Sequence, residues 1–227
     1  MSRPGPRRGA RVHPAPPRPD LLAPQELEPA AAPRAGAVHD GLLLHAPAPG
    51  AAHATGASFL GCVLSGWRAD DLVLTDARFA DCRVADLAAT ALSLRGSTWR
   101  ECEVERLRVG ALSAPDAELT RVLVRAGRVD FADLRGSRLT DVTFSGCDLR
   151  DVDATGARWS RVRFEDCRLG SLEAGSAQLA HVDVSGSELE GVGGVDGLRG
   201  LVVDEVQLLR LAPVLAAHLG LVVVPGS

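Results

Sequence analysis

The sequence predicts an all-β solenoid of about seven square coils, twenty residues each, closed by a short C-terminal helical cap. Three observations carry that reading. From Phe59 to Leu189 every fifth residue is non-polar without a slip, through Phe59, Leu64, Phe79, Trp99, Phe144, Trp159 and Leu189. A second column two residues earlier, including Ala57, Cys62, Cys82, Cys102, Cys147 and Cys167, carries no charge. Two residues after the centres Gly or Asp recurs, as at Gly61, Gly66, Asp71, Asp76, Asp81, Asp86, Gly96, Asp116, Gly136, Asp141, Gly146, Asp151, Gly156, Asp166, Gly186 and Gly191. A helix face repeats every 3.6 residues and a strand face every second, so period five is neither. Two inward positions and a turn residue able to adopt left-handed geometry make one side of a square, and four sides close a coil.

The chain divides into four parts. Residues 1–37 are rich in Pro, Ala and Arg, with little aliphatic content beyond Leu21, Leu22 and Leu27. So little burial does not offset the entropy of ordering, so a mostly disordered tail is expected; the alternative is a basic tail that touches acidic partners. Residues 38–54 contain the strand-like run Leu42–Leu44 and read as an N-terminal cap segment over the first coil. Residues 55–194 are the solenoid, cut into twenties such as TDARFADCRVADLAATALSL and RGSTWRECEVERLRVGALSA. On its third and fourth faces large and small residues exchange columns, as with Trp67 and Ala69 or Leu87 and Ala89, which holds each layer near constant volume. The stretch 115–134 is least regular, with Phe131 at an outward position.

The units ARFAD, ASFLG, ADLRG, SRLTD, CDLRD, ARWSR, CRLGS and AQLAH resemble the pentapeptide-repeat family, whose tandem A(D/N)LXX units form a right-handed quadrilateral β-helix. Many Val and Leu residues stand where the family prefers Ala. The resemblance implies a non-enzymatic binding protein, like the members that mimic DNA, engage DNA gyrase and confer resistance to quinolones or other topoisomerase poisons. A rigid scaffold for an unrelated protein partner is the alternative.

Residues 195–227 abandon the period and form the cap. Asp204 with Gln207 predicts a capping box, Gly220 a helix stop, and Pro213 a kink or a second helix start. Leu208, Leu211, Leu215 and Leu219 form an apolar stripe, expected either to cover the open sheet edge or to make a homodimer contact, as the C-terminal helix does in some gyrase-binding relatives.

Chemistry beyond binding finds no foothold in the sequence. The five cysteines all fall in the inward column and read as small, reduced core residues; no histidine joins them at zinc-ligand spacing. Asp148, Asp151 and Asp153 lack the calcium loop with its terminal Glu, and there is no P-loop, GxSxG or HExxH. Catalytic, cofactor and metal residues are therefore none. Net charge of −4 and a pI near 5.9 give no basic excess for direct nucleic-acid binding. No apolar run approaches the ~20 residues of a membrane span, and Arg7–Arg8 leads into no apolar segment, so a cytoplasmic protein is expected. Within 55–194 there are 22 acids against 17 arginines, and on the fourth face 5 against 2. That bias nominates Asp116, Asp133, Asp153 and Glu173 as candidate partner-binding residues, with acids standing in for phosphates.

Overall fold

In the computed structural model, which describes residues 11–20, 26–30, 33–45 and 52–224, the five-residue pattern winds into a parallel-strand β-solenoid. Within the coils residue i pairs with residue i+20: Phe59 with Phe79, Phe79 with Trp99, Val104 with Val124, Val124 with Phe144. Side chains of one column therefore stack at the ~4.8 Å spacing of paired strands. Phe59 and Phe79 lie 4.7 Å apart between ring centroids, Phe79 and Trp99 3.9 Å, Phe144 and Phe164 4.8 Å, all stacked with nearly parallel planes. Such pairs add about 0.5–1.5 kcal/mol each beyond the area they bury. The indole N–H groups are satisfied within the core. Trp99 donates to the Ser97 hydroxyl at 3.0 Å, Trp159 to Ser137 at 3.1 Å, and Trp67 to the Leu44 carbonyl at 2.9 Å. Ser97 and Ser137 occupy the inward column for that reason.

The stack has about eight turns: coil 1 (35–54), coil 2 (55–74), and so on to coil 8 (175–194). Of residues 38–54, expected as a cap, the described segments 38–45 and 52–54 already lie in the coil lattice. Val38–Asp40 pairs with Ser58–Leu60, Leu43–His45 with Val63–Ser65, and Ala52–His53 with Leu72–Val73. His39 takes the central-column position there and stacks on Phe59 at 5.1 Å, a polar ring doing the work of an apolar one. The covering strand lies further back, where Glu28–Ala30 pairs with Leu42–Leu44 and Leu27 is buried.

Three of the four corners turn through left-handed backbone. Corner one (Gly41, Gly61, Asp81, Glu101, Arg121, Asp141, Arg161, His181), corner two (Gly66, Asp86, Arg106, Ala126, Gly146, Asp166) and corner four (Gly36, Gly56, Asp76, Gly96, Asp116, Gly136, Gly156, Ser176) all have positive φ. Corner three does not. Strands such as Arg68–Val73, Ala88–Ser93 and Asp148–Asp153 run straight through it, so Asp71 and Asp151 are strand residues and not the left-handed turn residues expected. An apolar cavity of about 100 Å³ follows the axis where Val84, Val104, Val124 and Val129 replace larger side chains.

The C-terminal end closes in three steps. A 3-10 turn (Val195–Leu198) starts at left-handed Gly194, and Gly197 sits so close to the Ala174 carbonyl that no Cβ would fit. Leu201–Val202 pairs with Val182–Asp183. Helix α1 (Glu205–His218) then packs on coil 8. Its capping box is formed in both directions, Gln207 N–H to Asp204 and Asp204 N–H to Gln207. The Gln207 amide also donates to the Val184 and Ser187 carbonyls at 2.8 and 2.7 Å, so one side chain caps both the helix and the solenoid. Pro213 lies inside a single helix and starts no second one. At the other end the Gly220 and Leu221 N–H groups close back on the Ala217 and Ala216 carbonyls, with Gly220 at φ 69.

Candidate functional site

The surface is built of columns, and the structure sorts the four nominated acids into two kinds. Asp116 and Glu173 are exposed. Asp133 is buried: it takes both Arg135 guanidinium N–H groups at 2.8 Å and accepts the Arg135 backbone N–H at 3.2 Å. Those bonds from Arg135 hold its carboxyl below the usual range against the opposing effect of burial. Asp153 accepts the Thr155 N–H at 3.0 Å and lies 3.7 Å from Arg135. Glu173 accepts the Gly175 N–H at 3.2 Å. Three acids of this column thus share one local task, closing the turn two residues ahead, which the charge pattern did not reveal.

Arginine and acid alternate along the corners. In corner two, Arg106 grips Asp86 through two nitrogens at 2.6 and 2.9 Å. In corner one, Arg121 pairs with Glu101, and Arg161 grips Asp141 at 2.6 and 2.7 Å. Pairs one coil apart also join Arg83 to Glu103, Arg138 to Glu118 and Arg168 to Glu188. Most of these are exposed pairs worth about 0–1 kcal/mol apiece. Their effect on the outer field is larger, because each removes a free acid.

Corner one carries a feature the sequence reading missed. Residues 11–20, expected to be part of a disordered tail, form an extended strap along the stack. Arg11 lies 3.7 Å from Asp183 of coil 8, and His13 meets Arg163 of coil 7. The Ala15 N–H donates to Asp141 of coil 6 at 3.0 Å, Arg18 N–H to Glu101 of coil 4 at 2.8 Å, and Asp20 N–H to Asp81 of coil 3 at 3.3 Å. The signal was present as the period-twenty column Asp81, Glu101, Arg121, Asp141, Arg161, but only the other side of the contact shows its use. The expectation of disorder for residues 1–10, 21–25 and 31–32 lies outside the described residues.

The leucine stripe of α1 divides. Leu211 is buried and Leu215 packs on the core, whereas Leu208 is 50% and Leu219 71% exposed. Val206, Leu209 and Leu221–Val224 are exposed beside them, so an apolar face looks away from the solenoid.

All five cysteines are free and buried in the inward column. Burial raises the Cys62 thiol, and the Cys102 thiol together with burial raises Cys82. Cys167 is raised likewise by its bond to Cys147 and by burial. Thiolate chemistry at neutral pH is disfavoured at these three positions, whereas the bond from Cys167 lowers the Cys147 thiol against the effect of burial. Among the described residues no group of His, Cys, Asp and Glu is arranged to hold a metal, and no helix is long and apolar enough to cross a membrane.

A square, parallel coil repeating every twenty residues, with an apolar interior and laddered charges outside, defines a repeat protein that presents rigid surfaces. The family model "Pentapeptide repeats (8 copies)" matches residues 117–153 and 132–170, so this central stretch carries the repeat of the pentapeptide-repeat family. No curated protein matches the chain. Among solved structures it is similar to two trypsin-treated variants of QnrB1, described as a plasmid-mediated fluoroquinolone resistance protein. Identity is 18% and 20%, coverage 86% of this chain and 95% of each of those, and the TM-scores 0.35 and 0.24.

Proposed function

We propose that the protein is a non-catalytic binding rod in the cytoplasm, whose working parts are columns of side chains held in fixed register for a protein partner. The observation that supports this most directly is the ladder itself. Side chains one coil apart stand ~4.8 Å from one another on backbone that is already ordered, so a partner meets a surface with little ordering left to be done.

DNA gyrase is the partner we put first, from the resemblance to gyrase-engaging members and the acid bias of the fourth face. Mimicry is the finer part of this reading, and charge density bears on it. One column offers one acid per ~4.8 Å, while a DNA strand carries one phosphate per ~3.4 Å of axis. Asp133 is neutralised by Arg135 and Asp153 lies beside the same guanidinium, so Asp116 and Glu173 supply the free charge. The alternation of Arg with acid favours the second reading, an interaction scaffold that recognises a mixed-charge surface. The exposed face of α1 (Val206, Leu208, Leu209, Leu219) is proposed as a homodimer contact, with Leu211 and Leu215 as cap residues.

The test is gyrase supercoiling with and without a fluoroquinolone, comparing wild type with Asp116→Arg/Asp133→Arg/Asp153→Arg/Glu173→Arg at two salt concentrations. A second variant, Asp116→Arg/Glu173→Arg, spares Asp133 and Asp153, the two acids held beside Arg135. Mimicry predicts inhibition or drug protection by wild type, steeply weakened by salt and lost in both variants. No effect of wild type at micromolar concentration removes gyrase and leaves the scaffold. Sedimentation of Leu209→Glu against wild type tests the dimer contact.

A further inference from the structure

We propose that corner one is a docking track for an extended, proline-rich peptide, occupied in cis by residues 11–20, and that a partner segment of the same chemistry binds by displacing them. This does not depend on which partner the rod serves.

The fit between strap and corner is specific. In the strap sequence RVHPAPPRPD, the residues from Pro14 to Asp20 contain three backbone N–H groups, at Ala15, Arg18 and Asp20, because the other four are proline. Every one is donated to a corner-one carboxylate: Asp141, Glu101 and Asp81 in turn. Between Asp141 and Glu101 the corner presents Arg121, which has no acceptor to offer and is itself paired with Glu101. Opposite that gap the strap carries Pro16 and Pro17, which have no donor to satisfy. Donors meet acceptors and the donor-free stretch spans the acceptor-free rung.

The pitch matches as well. Asp141 and Glu101 are two coils apart, ~9.6 Å, and Ala15 to Arg18 is three residues, ~9.3 Å in a polyproline II conformation. Glu101 to Asp81 is one coil, and Arg18 to Asp20 two residues. Proline-rich chains lose little entropy when held in that conformation, which suits a ligand of this kind. Val12, Pro14, Pro17 and Pro19 are half-buried while their neighbours are exposed, so one edge of the strap faces the solenoid. Arg11 and His13 extend the contact to Asp183 and Arg163. The recognised pattern is thus N–H donors at i, i+3 and i+5 in a proline-filled segment with a basic N-terminal flank.

A strap tethered to its own site competes at an effective concentration near the millimolar range. A trans peptide is weakened by the fraction of corner one that the strap leaves free. Nothing in the fourth-face acids takes part, so the rod can engage a partner there while the track is closed.

The experiment uses the full chain. Ala15→Pro/Arg18→Pro removes two strap donors and leaves corner one intact; matching circular dichroism melts establish that the solenoid is unaltered. The probe is a fluorescein-labelled peptide RVHPAPPRPD, followed by polarisation. The loosened variant is expected to bind it at least ~10-fold more tightly than wild type. Adding Glu101→Ala/Asp141→Ala abolishes that binding, and a probe carrying the two prolines does not bind. The proposal is overturned if the probe binds neither protein, binds both alike, or ignores the corner-one substitutions.

Discussion

Ser137 and Ala126 show how much a single side chain decides in a coil of five-residue sides. Ser137 is fully buried and its hydroxyl is the partner of the Trp159 indole N–H, itself 1% exposed. Ser137→Ala keeps the volume and strands that donor, at a cost of about 1–3 kcal/mol. Thermal melts check it, and a variant that melts with wild type would mean the indole finds another acceptor. Ala126 sits in corner two at φ 51, where a Cβ is strained. Ala126→Gly is expected to stabilise by about 0.5–1 kcal/mol, the left-handed strain exceeding the extra entropy of an unfolded glycine. The control is Ala111, a corner-three strand residue outside the left-handed region, where the same change should destabilise. Opposite signs for one substitution at two corners is the signature; equal signs would contradict the corner assignment.

At the scale of a coil, the aromatic column is discontinuous. Phe144 and Phe164 stack at 4.8 Å, but the preceding positions are Val124 and Val104, and the axial cavity of about 100 Å³ opens beside them. Val124→Phe is expected to extend the stack by one ring. At ~24 cal/mol per Å³ of cavity removed, filling part of that space stabilises by about 1 kcal/mol. A lower melting temperature would mean that the neighbouring Val104 and Leu139 layers cannot make room. The central coils were legible from the sequence because the central column is strictly apolar and the second inward column carries no charge, and the cysteine and aromatic positions follow from that same register. Coil 1 was not, since the five-residue series opens on His39, a polar residue that breaks an apolar search although its ring stacks on Phe59. Corner three was misread because Asp71 and Asp151 look like turn residues, and composition does not separate a corner taken in extended backbone from one taken through positive φ.

Over the whole molecule, what sequence periodicity could not supply was contact between segments far apart in the chain. The strap joins residue 15 to 141 and residue 18 to 101, and neither end shows a hydrophobic pattern that would announce the other. The fourth-face acids read as a mimicry surface for the same reason: the pairing of Asp133 with Arg135 depends on a turn two residues long, as the pairs of Asp86, Glu101 and Asp141 with Arg106, Arg121 and Arg161 depend on column neighbours twenty residues apart. That pairing makes the rod sensitive to acid in a defined direction. Arg161 holds Asp141 below the usual carboxylate range, with help from the Ala15 N–H. Glu101 is lowered too: burial opposes the shift, and the Arg18 N–H and Arg121 outweigh it. Asp86 and Asp133 are lowered by Arg106 and Arg135. A carboxyl depressed in the folded state contributes stability that is complete above its unfolded value, ~4, and disappears as pH falls through the folded one. Melting temperature should therefore change little for these groups between pH 7 and about 5, and fall below pH ~4. Asp141→Asn should lower stability at pH 7 by about 1–3 kcal/mol, because a bond to a charged partner is lost. The gap to wild type should narrow as pH falls through the folded-state value of Asp141, because protonation removes the charge that Arg161 holds. Because Asp141 and Glu101 also hold the strap, the protection of the Ala15 and Arg18 amides, referred to the intrinsic exchange rate at each pH, should fall along the same acid limb, ahead of that of the core amides of Val122 and Val142. If strap and core amides instead open together, or if the variant runs parallel to wild type at every pH, the corner-one carboxylates are not the groups that acid titrates.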